Sequence, residues 1–329
     1  MRSREVHLIE RPQGLPVPQQ FRIVEADIED PAEGQLLVEN IYMSVDPAMR
    51  PRLAGPTALN EAMMGGAIGR VLKSRNALFE EGDHVESMNG FREYFVSDGK
   101  GLSKLDADGM PLVAYMSVLG LTGLTAYGGL LVIGALKEGE NVFVSAAAGA
   151  VGSVAAQIAK IKGCYVIGSA GSDEKCRWLK EELGLDAAIN YKKGELRAAL
   201  KAAAPKGIDV YFENVGGEHL NAALPRMNAL GRIAVCGMIS AYNNFGAVSE
   251  PVTTLSNMIY NRVMMRGFVF YEFESKREQF LKDMKDWIRH GRVKYRTTIL
   301  QGIGQAPAAL IGLFTGANTG KMVVQLAKD

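Results

Sequence analysis

The segment from residue 141 to residue 163 constrains the fold of this chain more than any other stretch. It begins with the β-branched and apolar run NVFVSAA, passes through Gly149 and Gly152, and continues directly into the helix-compatible sequence VGSVAAQIAKIKG. A strand that turns through glycines into a helix opens a βαβ unit, whose parallel strands need helices on both faces. The segment therefore predicts an α/β domain with this unit at its head.

The sequence after this segment continues the alternation of strands and helices. Short apolar runs predict strands, and amphipathic runs between them predict helices. The predicted strands are CYVIGSA (164–170), AAINY (187–191), IDVYFENVGG (208–217), GRIAVCGMI (231–239) and RVMMRGFVFYEF (262–273), and the predicted helices are DEKCRWLKEELG (173–184) and SKREQFLKDMKDWIRHG (275–291). This order indicates a parallel sheet that is covered by helices on both faces.

The N-terminal third of the chain has a different pattern, without helical periodicity. Its β-rich runs are QLLVENIYMSV (35–45), AIGRVLKS (67–74), DHVES (83–87) and FREYFVS (91–97). Turn signals such as Gly65-Gly66 and Asn89-Gly90 separate them. The pattern predicts a small antiparallel β domain, and the chain ends in a further strand-like run, KMVVQLA (321–327).

The glycine pair of the first βα turn points to a dinucleotide. Gly149 would allow the backbone to approach a pyrophosphate, and Gly152 would allow the helix to pack closely on the strand. Ala147 stands where the dinucleotide-binding motif has its first glycine, so the motif is incomplete. A tight turn without a ligand is the alternative.

The end of the second predicted strand should distinguish NADPH from NADH. An NAD site has Asp or Glu about 20 residues after the glycines to accept hydrogen bonds from the ribose. Here Ser172 and Lys175 offer a hydroxyl and a cation, which favours the 2′-phosphate of NADPH. Asp173 could play the acidic role, but it is better interpreted as part of the first turn of a helix that Ser172 caps, where the helix dipole favours it.

Charge and cysteine content exclude several classes of protein. The chain has 37 Lys and Arg against 36 Asp and Glu, so no sequence-wide basic field exists for nucleic acid or an anionic membrane. Cys164, Cys176 and Cys236 are too few for a disulfide scaffold or a four-cysteine zinc site. Cys236 is interpreted as a small residue at a strand end. A protein of a reducing compartment, the cytoplasm, is expected.

Metal-binding and membrane segments are not predicted. The N-terminal β domain has no cysteine, and its histidines, His7 and His84, are not in a ligand cluster, so a zinc alcohol dehydrogenase site is excluded. No secretory signal is evident at the N-terminus. The charge-free stretch 109–136 is interrupted by Pro111 and by glycines, which predicts a buried helix or helix pair.

Eight motifs in this order resemble the zinc-independent medium-chain dehydrogenase/reductase superfamily. Within it the chain is most similar to the group of leukotriene/prostaglandin reductases, alkenal double-bond reductases and bacterial curcumin reductases. The motifs are VDPAMR (45–50), EGDHV (81–85), GLTGLTAYGGL (120–130), SAAAGAVGS (145–153), GSDEK (171–175), ENVGG (213–217), CGMISAYN (236–243) and GANTGKMVVQL (316–326). The resemblance covers essentially the whole chain.

The resemblance implies a fold and an activity. The fold is a GroES-like catalytic β domain, residues 1–120 and 296–329, with an inserted Rossmann NADP(H)-binding domain, residues 121–295. The activity is NADPH-dependent reduction of the carbon–carbon double bond of α,β-unsaturated ketones and aldehydes. A quinone reductase of the same superfamily and a non-catalytic NADPH-binding protein are the alternatives. A homodimer through the edge of the Rossmann sheet, near Val263 to Phe270, is expected.

The resemblance also implies cofactor contacts. The loop of Gly149, Ala150, Val151 and Gly152 would bind the pyrophosphate, and Lys175 and Tyr191 would bind the 2′-phosphate. The remaining contacts would come from Thr125, Asn214, Cys236, Gly237, Tyr242, Phe268, Val269, Phe270 and Asn318. Ala48 and Phe91 depart from the aromatic residues that many relatives have there, and these departures bear on substrate preference.

Reduction of an enone needs a hydride at the β-carbon, a proton at the α-carbon and a hydrogen bond to the developing oxyanion. Tyr260 matches a family tyrosine beside the substrate and is the first candidate for this donor. Tyr242 is the second. A tyrosine keeps its proton at neutral pH because its ordinary pKa is about 10. Structural roles for both tyrosines, and a cofactor hydroxyl or a water as the proton source, are the alternatives.

Overall fold

The computed structural model describes residues 1–244 and 251–329. Its chain divides into two compact units, one of Met1–Met116 with Thr297–Asp329 and the other of Ser117–Arg296. Both ends of the chain therefore belong to the same unit.

The strands and helices of the described residues are as follows. The strands are β1 (Arg2–Leu8), β2 (Phe21–Asp27), β3 (Leu36–Ser44), β4 (Ala67–Ser74), β5 (His84–Ser87), β6 (Tyr94–Ser97), β7 (Ser103–Lys104), β8 (Asn141–Val144), β9 (Tyr165–Ala170), β10 (Ala187–Asn190), β11 (Ile208–Glu213), β12 (Met227–Val235), β13 (Met264–Gly267), β14 (Thr297–Gln301) and β15 (Lys321–Gln325). The α-helices are α1 (Met49–Ala54), α2 (Leu112–Tyr115), α3 (Leu121–Gly128), α4 (Ala150–Ile161), α5 (Asp173–Glu181), α6 (Leu196–Ala203), α7 (Gly217–Ala223), α8 (Asn257–Asn261), α9 (Arg277–Arg289) and α10 (Ala306–Thr315).

The unit Ser117–Arg296 is built on a parallel sheet with the strand order β10-β9-β8-β11-β12-β13. On one face, Leu200 of α6 and Leu220 of α7 share a core with Phe143 and Tyr211. Helix α4, which has no residue in that core, packs against β8 and β9. Helices thus cover both faces, as the alternating pattern predicts.

The strand order of this sheet reverses at β8. From β8 the chain adds β9 and β10 on one side and β11, β12 and β13 on the other. In open α/β sheets, ligands bind in the crevice at the carboxyl ends of the strands where the order reverses. The site is therefore expected where β8 and β11 end, next to the glycine turn.

The other unit is a mostly antiparallel β structure. Its main sheet has the order β14-β15-β3-β4-β5-β7, β6 also pairs with β3, and β1 and β2 form a separate antiparallel pair. Strands β14 and β15 pair in parallel, so the sheet is mixed rather than purely antiparallel as predicted. The parallel pair arises because α10 connects these two strands.

Motifs from both chain ends meet in this unit. The Nζ atom of Lys321, which is 3% exposed, donates to the carbonyl of Val45 at 2.9 Å and pairs with the Asp46 carboxylate. Asp46 also accepts a hydrogen bond from Ser44. In α1, a helix that the sequence pattern did not predict, the buried Arg50 donates to the carbonyl of Gly14 at 2.7 Å. These contacts join the VDPAMR and GANTGKMVVQL motifs.

The predicted strand 262–273 is corrected by the structure. Strand β13 covers only Met264–Gly267, and a helical turn follows at Phe270–Lys276. The chain leaves the sheet because Phe268 packs its ring on Phe212 and Phe273, with ring centroids 6.0 and 5.6 Å away. The backbone amide of Val269 then donates to Glu272 at 3.0 Å, which starts the turn.

The charge-free stretch forms short helices that are mostly buried, as predicted. Glycines permit close packing there: a Cβ at residue 128 would lie 2.2 Å from the Phe273 ring, and one at residue 129 would lie 2.3 Å from Phe268. Among the described residues, no helix is long and apolar enough to cross a bilayer.

Candidate active site

The glycine turn connects β8 to α4. Gly149 is the N-cap residue of α4, and its surroundings are open, since a Cβ there would meet only the carbonyl oxygen of Ala146, at 3.2 Å. A Cβ on Gly152 would instead lie 2.4 Å from that oxygen and 2.9 Å from Cα of Ala147. The two glycines therefore differ: Gly152 allows helix and strand to pack, whereas Gly149 leaves space for a ligand.

The first turn of α4 can bind an anion. No side chain caps this helix, so the backbone amides of Ala150, Val151 and Gly152 have no partner within the helix. These amides and the positive end of the helix dipole favour a phosphate. The turn fits the pyrophosphate of a dinucleotide.

The end of β9 leads into α5 through Ser172. The Ser172 hydroxyl caps α5 by accepting from the amide of Lys175 at 3.2 Å. Asp173 lies in the first turn, where its carboxylate pairs with Lys193 and accepts from Asn190 at 2.7 Å. Asp173 thus lies in the first turn of a helix that Ser172 caps, as predicted, and its carboxylate is also paired with a cation and an amide.

Lys192 and Tyr191 lie beside Gly171, and Lys175 is close enough to Lys192 for their charges to interact. A Cβ at residue 171 would lie 3.1 Å from the Tyr191 hydroxyl and 3.3 Å from Cε of Lys192. Burial, followed by the charge of Lys192, lowers the pKa of Lys175. Burial raises the pKa of the Tyr191 hydroxyl, which therefore stays a donor. Two ammonium groups that repel each other beside a phenol form a region that an anion such as a phosphate stabilises.

His219 packs against the ring of Tyr191. The imidazole is 3% exposed, lies edge-on to the Tyr191 ring at 5.0 Å between centroids, and has Nε2 3.1 Å from the Ser169 hydroxyl. Burial lowers the pKa of His219 to about 4, so the ring is neutral at physiological pH. Neither His219 nor Lys192 was identified from the sequence, because a single histidine or lysine gives no periodic or motif signal.

Asn214 lies where β11 ends, at the point of strand reversal. Its backbone amide donates to the Ser145 hydroxyl at 2.8 Å, and its side-chain Nδ2 donates to the Ser145 carbonyl at 2.7 Å. The Ser145 hydroxyl in turn donates to Oε1 of the fully buried Glu213 at 2.8 Å. The structure thus connects Asn214, which the sequence identified, to Ser145 and Glu213, which it did not.

Cys236, Gly237 and Tyr242 follow β12. The amides of Cys236 and Gly237 donate to the Glu213 carbonyl at 2.8 and 3.1 Å. The Tyr242 hydroxyl accepts from the amide of Met238 at 3.3 Å and would lie 3.0 Å from a Cβ on Gly237. Burial raises the pKa of Cys236 to about 12, so its thiol is not a nucleophile, and burial also raises the pKa of Tyr242.

The remaining residues that were predicted to contact the cofactor lie in several different elements. Phe268 is buried in the core, whereas Val269 is exposed and Phe270 is half-buried. Thr125 is a buried residue of α3 whose hydroxyl donates to the carbonyl of Leu121 at 2.7 Å. Asn318 belongs to the other unit, where its Nδ2 donates to the carbonyl of Gly320 at 2.7 Å.

Tyr260 lies on α8, and its side chain is 81% exposed in the single chain. The two candidate proton donors therefore have different environments, since Tyr242 is partly buried and hydrogen-bonded. Phe91, a predicted determinant of substrate preference, is 0% exposed and belongs to a hydrophobic core. Ala48, the other such residue, is exposed and precedes α1.

The histidines of the β unit do not belong to a metal-binding cluster among the described residues. His7 pairs with Glu5 at 3.1 Å, and His84 lies on β5. Within the part of the chain that the structure describes, no group of three or more His, Cys, Asp and Glu side chains could hold a metal ion. That the protein works without a metal stays a prediction.

Two family models match the chain. The model described as the N-terminal domain of oxidoreductase matches residues 4–105, and the model described as zinc-binding dehydrogenase matches residues 150–287. The first falls within the β unit and the second within the unit of the parallel sheet.

Relatives match nearly the whole chain. The NADPH-dependent curcumin reductase of Escherichia coli is 38% identical over 100% of this chain and 98% of its own length. The 2-alkenal reductase (NADP(+)-dependent) of Nicotiana tabacum is 42% identical over 89% of this chain and 88% of its own. The crystal structure of CurA from Vibrio vulnificus in complex with NADPH is 39% identical, with a TM-score of 0.94 over 99% of this chain and 100% of that one. These matches confirm the predicted fold.

Proposed function

The chain belongs to the zinc-independent medium-chain dehydrogenase/reductase family, as an NADPH-dependent oxidoreductase, and we propose that it reduces the carbon–carbon double bond of α,β-unsaturated ketones and aldehydes. The substrate class rests on its similarity to the curcumin and 2-alkenal reductases. Residues 1–120 with 296–329 would form the GroES-like catalytic domain, and residues 121–295 would form the Rossmann domain that binds NADP(H).

The structural observation that carries the cofactor part of the proposal is the pair of lysines beside Tyr191 where β9 ends. Lys175, Lys192 and Tyr191 offer two cations and a phenol where β9 ends, and the nearby Asp173 carboxylate is engaged by Lys193. A site for NADH would instead present a carboxylate to the ribose hydroxyls. The arrangement supports a 2′-phosphate and therefore NADPH.

The other half of the cofactor would bind along the carboxyl ends of β8, β11 and β12. The open space at Gly149 and the amides of Ala150 and Val151 suit the pyrophosphate. Asn214, held by Ser145, and Tyr242, held by the amide of Met238, would line the nicotinamide half. When bound, NADPH supplies the hydride for the substrate β-carbon.

The protein would supply the hydrogen bond to the developing oxyanion. Such a donor contributes several kcal/mol when it is already oriented, typically about 3 kcal/mol for one lost donor. We assign this role first to Tyr260 and second to Tyr242. Tyr242 keeps its proton, because burial raises the pKa of its hydroxyl, but that hydroxyl already accepts a hydrogen bond from Met238.

The edge of the parallel sheet supports a homodimer. Strand β13 ends the strand order of this sheet, and all its residues are exposed in the single chain. Ile259, Tyr260, Met264 and Tyr271 expose apolar surface nearby. An exposed, apolar edge strand is a template for pairing with a second copy of the chain. Light scattering of the purified protein should therefore give the mass of a dimer, and Met265→Lys, which charges the edge, should shift the mass towards the monomer.

The test of the activity is a parallel assay that follows the absorbance of NADPH. An α,β-unsaturated ketone, a long-chain alkenal and a quinone are offered with NADPH, and NADH serves as the control cofactor. Turnover of the ketone and the alkenal with NADPH preferred is expected. Turnover of the quinone alone would replace the proposed activity with quinone reduction. Binding of NADPH without any turnover would contradict the proposal that enones and enals are substrates.

A further inference from the structure

Glu213 is a fully buried acidic residue that lies directly before the proposed cofactor residue Asn214. Burying a carboxyl group without hydrogen-bond partners is costly. Burial raises the pKa of the Glu213 carboxyl, and the Tyr211 hydroxyl and the hydrogen bonds that it accepts from Val215 and Ser145 oppose this shift. Its partners therefore indicate what it does.

One carboxylate oxygen of Glu213 holds two groups. Oε1 accepts from the Ser145 hydroxyl at 2.8 Å and from the amide of Val215 at 2.6 Å. The backbone carbonyl of Glu213 accepts from Cys236 and Gly237. Glu213 thus ties together the ends of β8, β11 and β12, the strands whose carboxyl ends line the crevice.

The Ser145 hydroxyl links Glu213 to Asn214 through two hydrogen bonds. A serine hydroxyl has a single proton, and because Ser145 donates it to Glu213, its lone pairs face the amide of Asn214, 2.8 Å away. The Ser145 carbonyl holds Nδ2 of Asn214 at 2.7 Å. The Asn214 side chain is consequently fixed with Oδ1 as its remaining acceptor, and Oδ1 has no hydrogen-bond partner within the described residues.

We propose that Glu213 is a positioning residue, which acts through Ser145 to orient Asn214 for the nicotinamide half of the dinucleotide. It acts as a hydrogen-bond acceptor, and its negative charge is not required. This inference rests on the proposed function for the identity of the ligand.

A double-mutant cycle on NADPH binding tests the inference. The dissociation constant is measured by the fluorescence of bound NADPH, so that no turnover is needed. Glu213→Met, which has a similar volume and no acceptor, should weaken binding about tenfold, the order expected for one lost hydrogen bond. In an Asn214→Ala background the same substitution should add less than about twofold, since the residue through which Glu213 acts is gone.

Three further variants separate positioning from general damage. Glu213→Gln keeps Oε1 as an acceptor and should restore binding to within about twofold of wild type. Tyr165→Phe removes a hydroxyl at the amino end of β9, where it donates to the carbonyl of Ala203 at 3.3 Å, and should leave binding unchanged. If Glu213→Met does not fold, Ser145→Ala replaces it in the cycle, because it also releases the amide of Asn214.

The outcomes distinguish this inference from the proposed function. Additive losses in Glu213→Met and Asn214→Ala, or an equal loss in Tyr165→Phe, would overturn the positioning role. A loss in Glu213→Gln as large as in Glu213→Met would overturn the acceptor role. A wild-type protein that binds NADPH but reduces no enone would contradict the substrate class and leave the cycle intact, whereas no binding of NADPH would overturn both.

Discussion

The ammonium of Lys193, which follows β10, pairs with the carboxylate of Asp173 in the first turn of α5. Asn190 donates a second hydrogen bond to the same carboxylate, and together Lys193 and Asn190 lower the pKa of Asp173. The acidic residue that could have accepted from the ribose hydroxyls is therefore already paired. The neighbouring Lys192 instead lies beside Gly171 and Tyr191.

Lys192 and Lys193 are adjacent lysines with different partners, and this difference gives the first prediction. Lys192→Ala should weaken the binding of 2′,5′-ADP by about fivefold, the effect of a partly exposed charge pair of ~1 kcal/mol. Lys193→Ala should change it by less than about twofold. Titration calorimetry measures both, with 5′-AMP, which lacks the 2′-phosphate, as the control ligand. Equal effects of the two substitutions, or an equal effect on 5′-AMP, would contradict the assignment of Lys192 to this phosphate.

Gly149 and Gly152 should separate binding from stability. Gly152→Ala places a Cβ 2.4 Å from the Ala146 carbonyl oxygen, so α4 must move and the free energy of unfolding should fall by about 1–3 kcal/mol. Gly149→Ala meets only that oxygen, at 3.2 Å, and its φ of −83° suits alanine. It should leave stability within about 1 kcal/mol of wild type and weaken NADPH binding. Urea unfolding and fluorescence titration of both variants check this, and the opposite assignment of the two losses would refute it.

Several strands and helices could be predicted because each has a strong local signal. Strand β4 has the predicted limits, and α4 begins at Ala150, one residue before its predicted start. The charge-free helices were predicted because their glycines and their lack of charge indicate burial. Helix α1 was missed because a single short helix within strand-rich sequence has too few residues to show a periodicity.

The site was only partly predictable for a different reason. The glycine turn and Lys175 each lie within a short motif, so the sequence identifies them directly. The contact of Ser145 with Asn214 joins residues 69 positions apart and depends on the pairing of β8 with β11. The hydrogen bond of Glu213 with Ser145 and the contact of His219 with Tyr191 also depend on the folded arrangement of the strands. A single glutamate or histidine gives no sequence signal for such contacts.

His219 should make the fold sensitive to acid. Its pKa in the folded protein is about 4 because of burial, against about 6.5 for an unfolded histidine. As pH falls from 6.5 to 4, the unfolded chain binds a proton that the folded chain does not, so the free energy of unfolding decreases, by up to about 3 kcal/mol. Above pH 6.5 the histidine is neutral in both states, so His219 does not lower the free energy of unfolding there.

The measurement is urea unfolding at several pH values between 7.5 and 4.5. His219→Gln, which can still reach the Ser169 hydroxyl, should lose less stability over this range than wild type does. His290→Gln, which removes an exposed histidine of the α9 C-terminus, is the control and should retain the wild-type slope. A His219→Gln slope as steep as the wild-type slope would show that other groups cause the acid sensitivity.

Tyr260 and Tyr242 make different contacts, and their phenylalanine variants should therefore fail in different ways. Tyr260→Phe removes the proposed donor to the enolate and should lower kcat for an enone by at least about tenfold, with the KM for NADPH unchanged. Tyr242→Phe removes the acceptor of the Met238 amide beside Gly237, so its main effect should be on the KM for NADPH. Tyr271→Phe changes another exposed tyrosine of the same unit and is the control. Wild-type turnover in Tyr260→Phe would exclude Tyr260 as the proton donor, and a large loss of kcat in Tyr242→Phe alone would transfer the role to Tyr242.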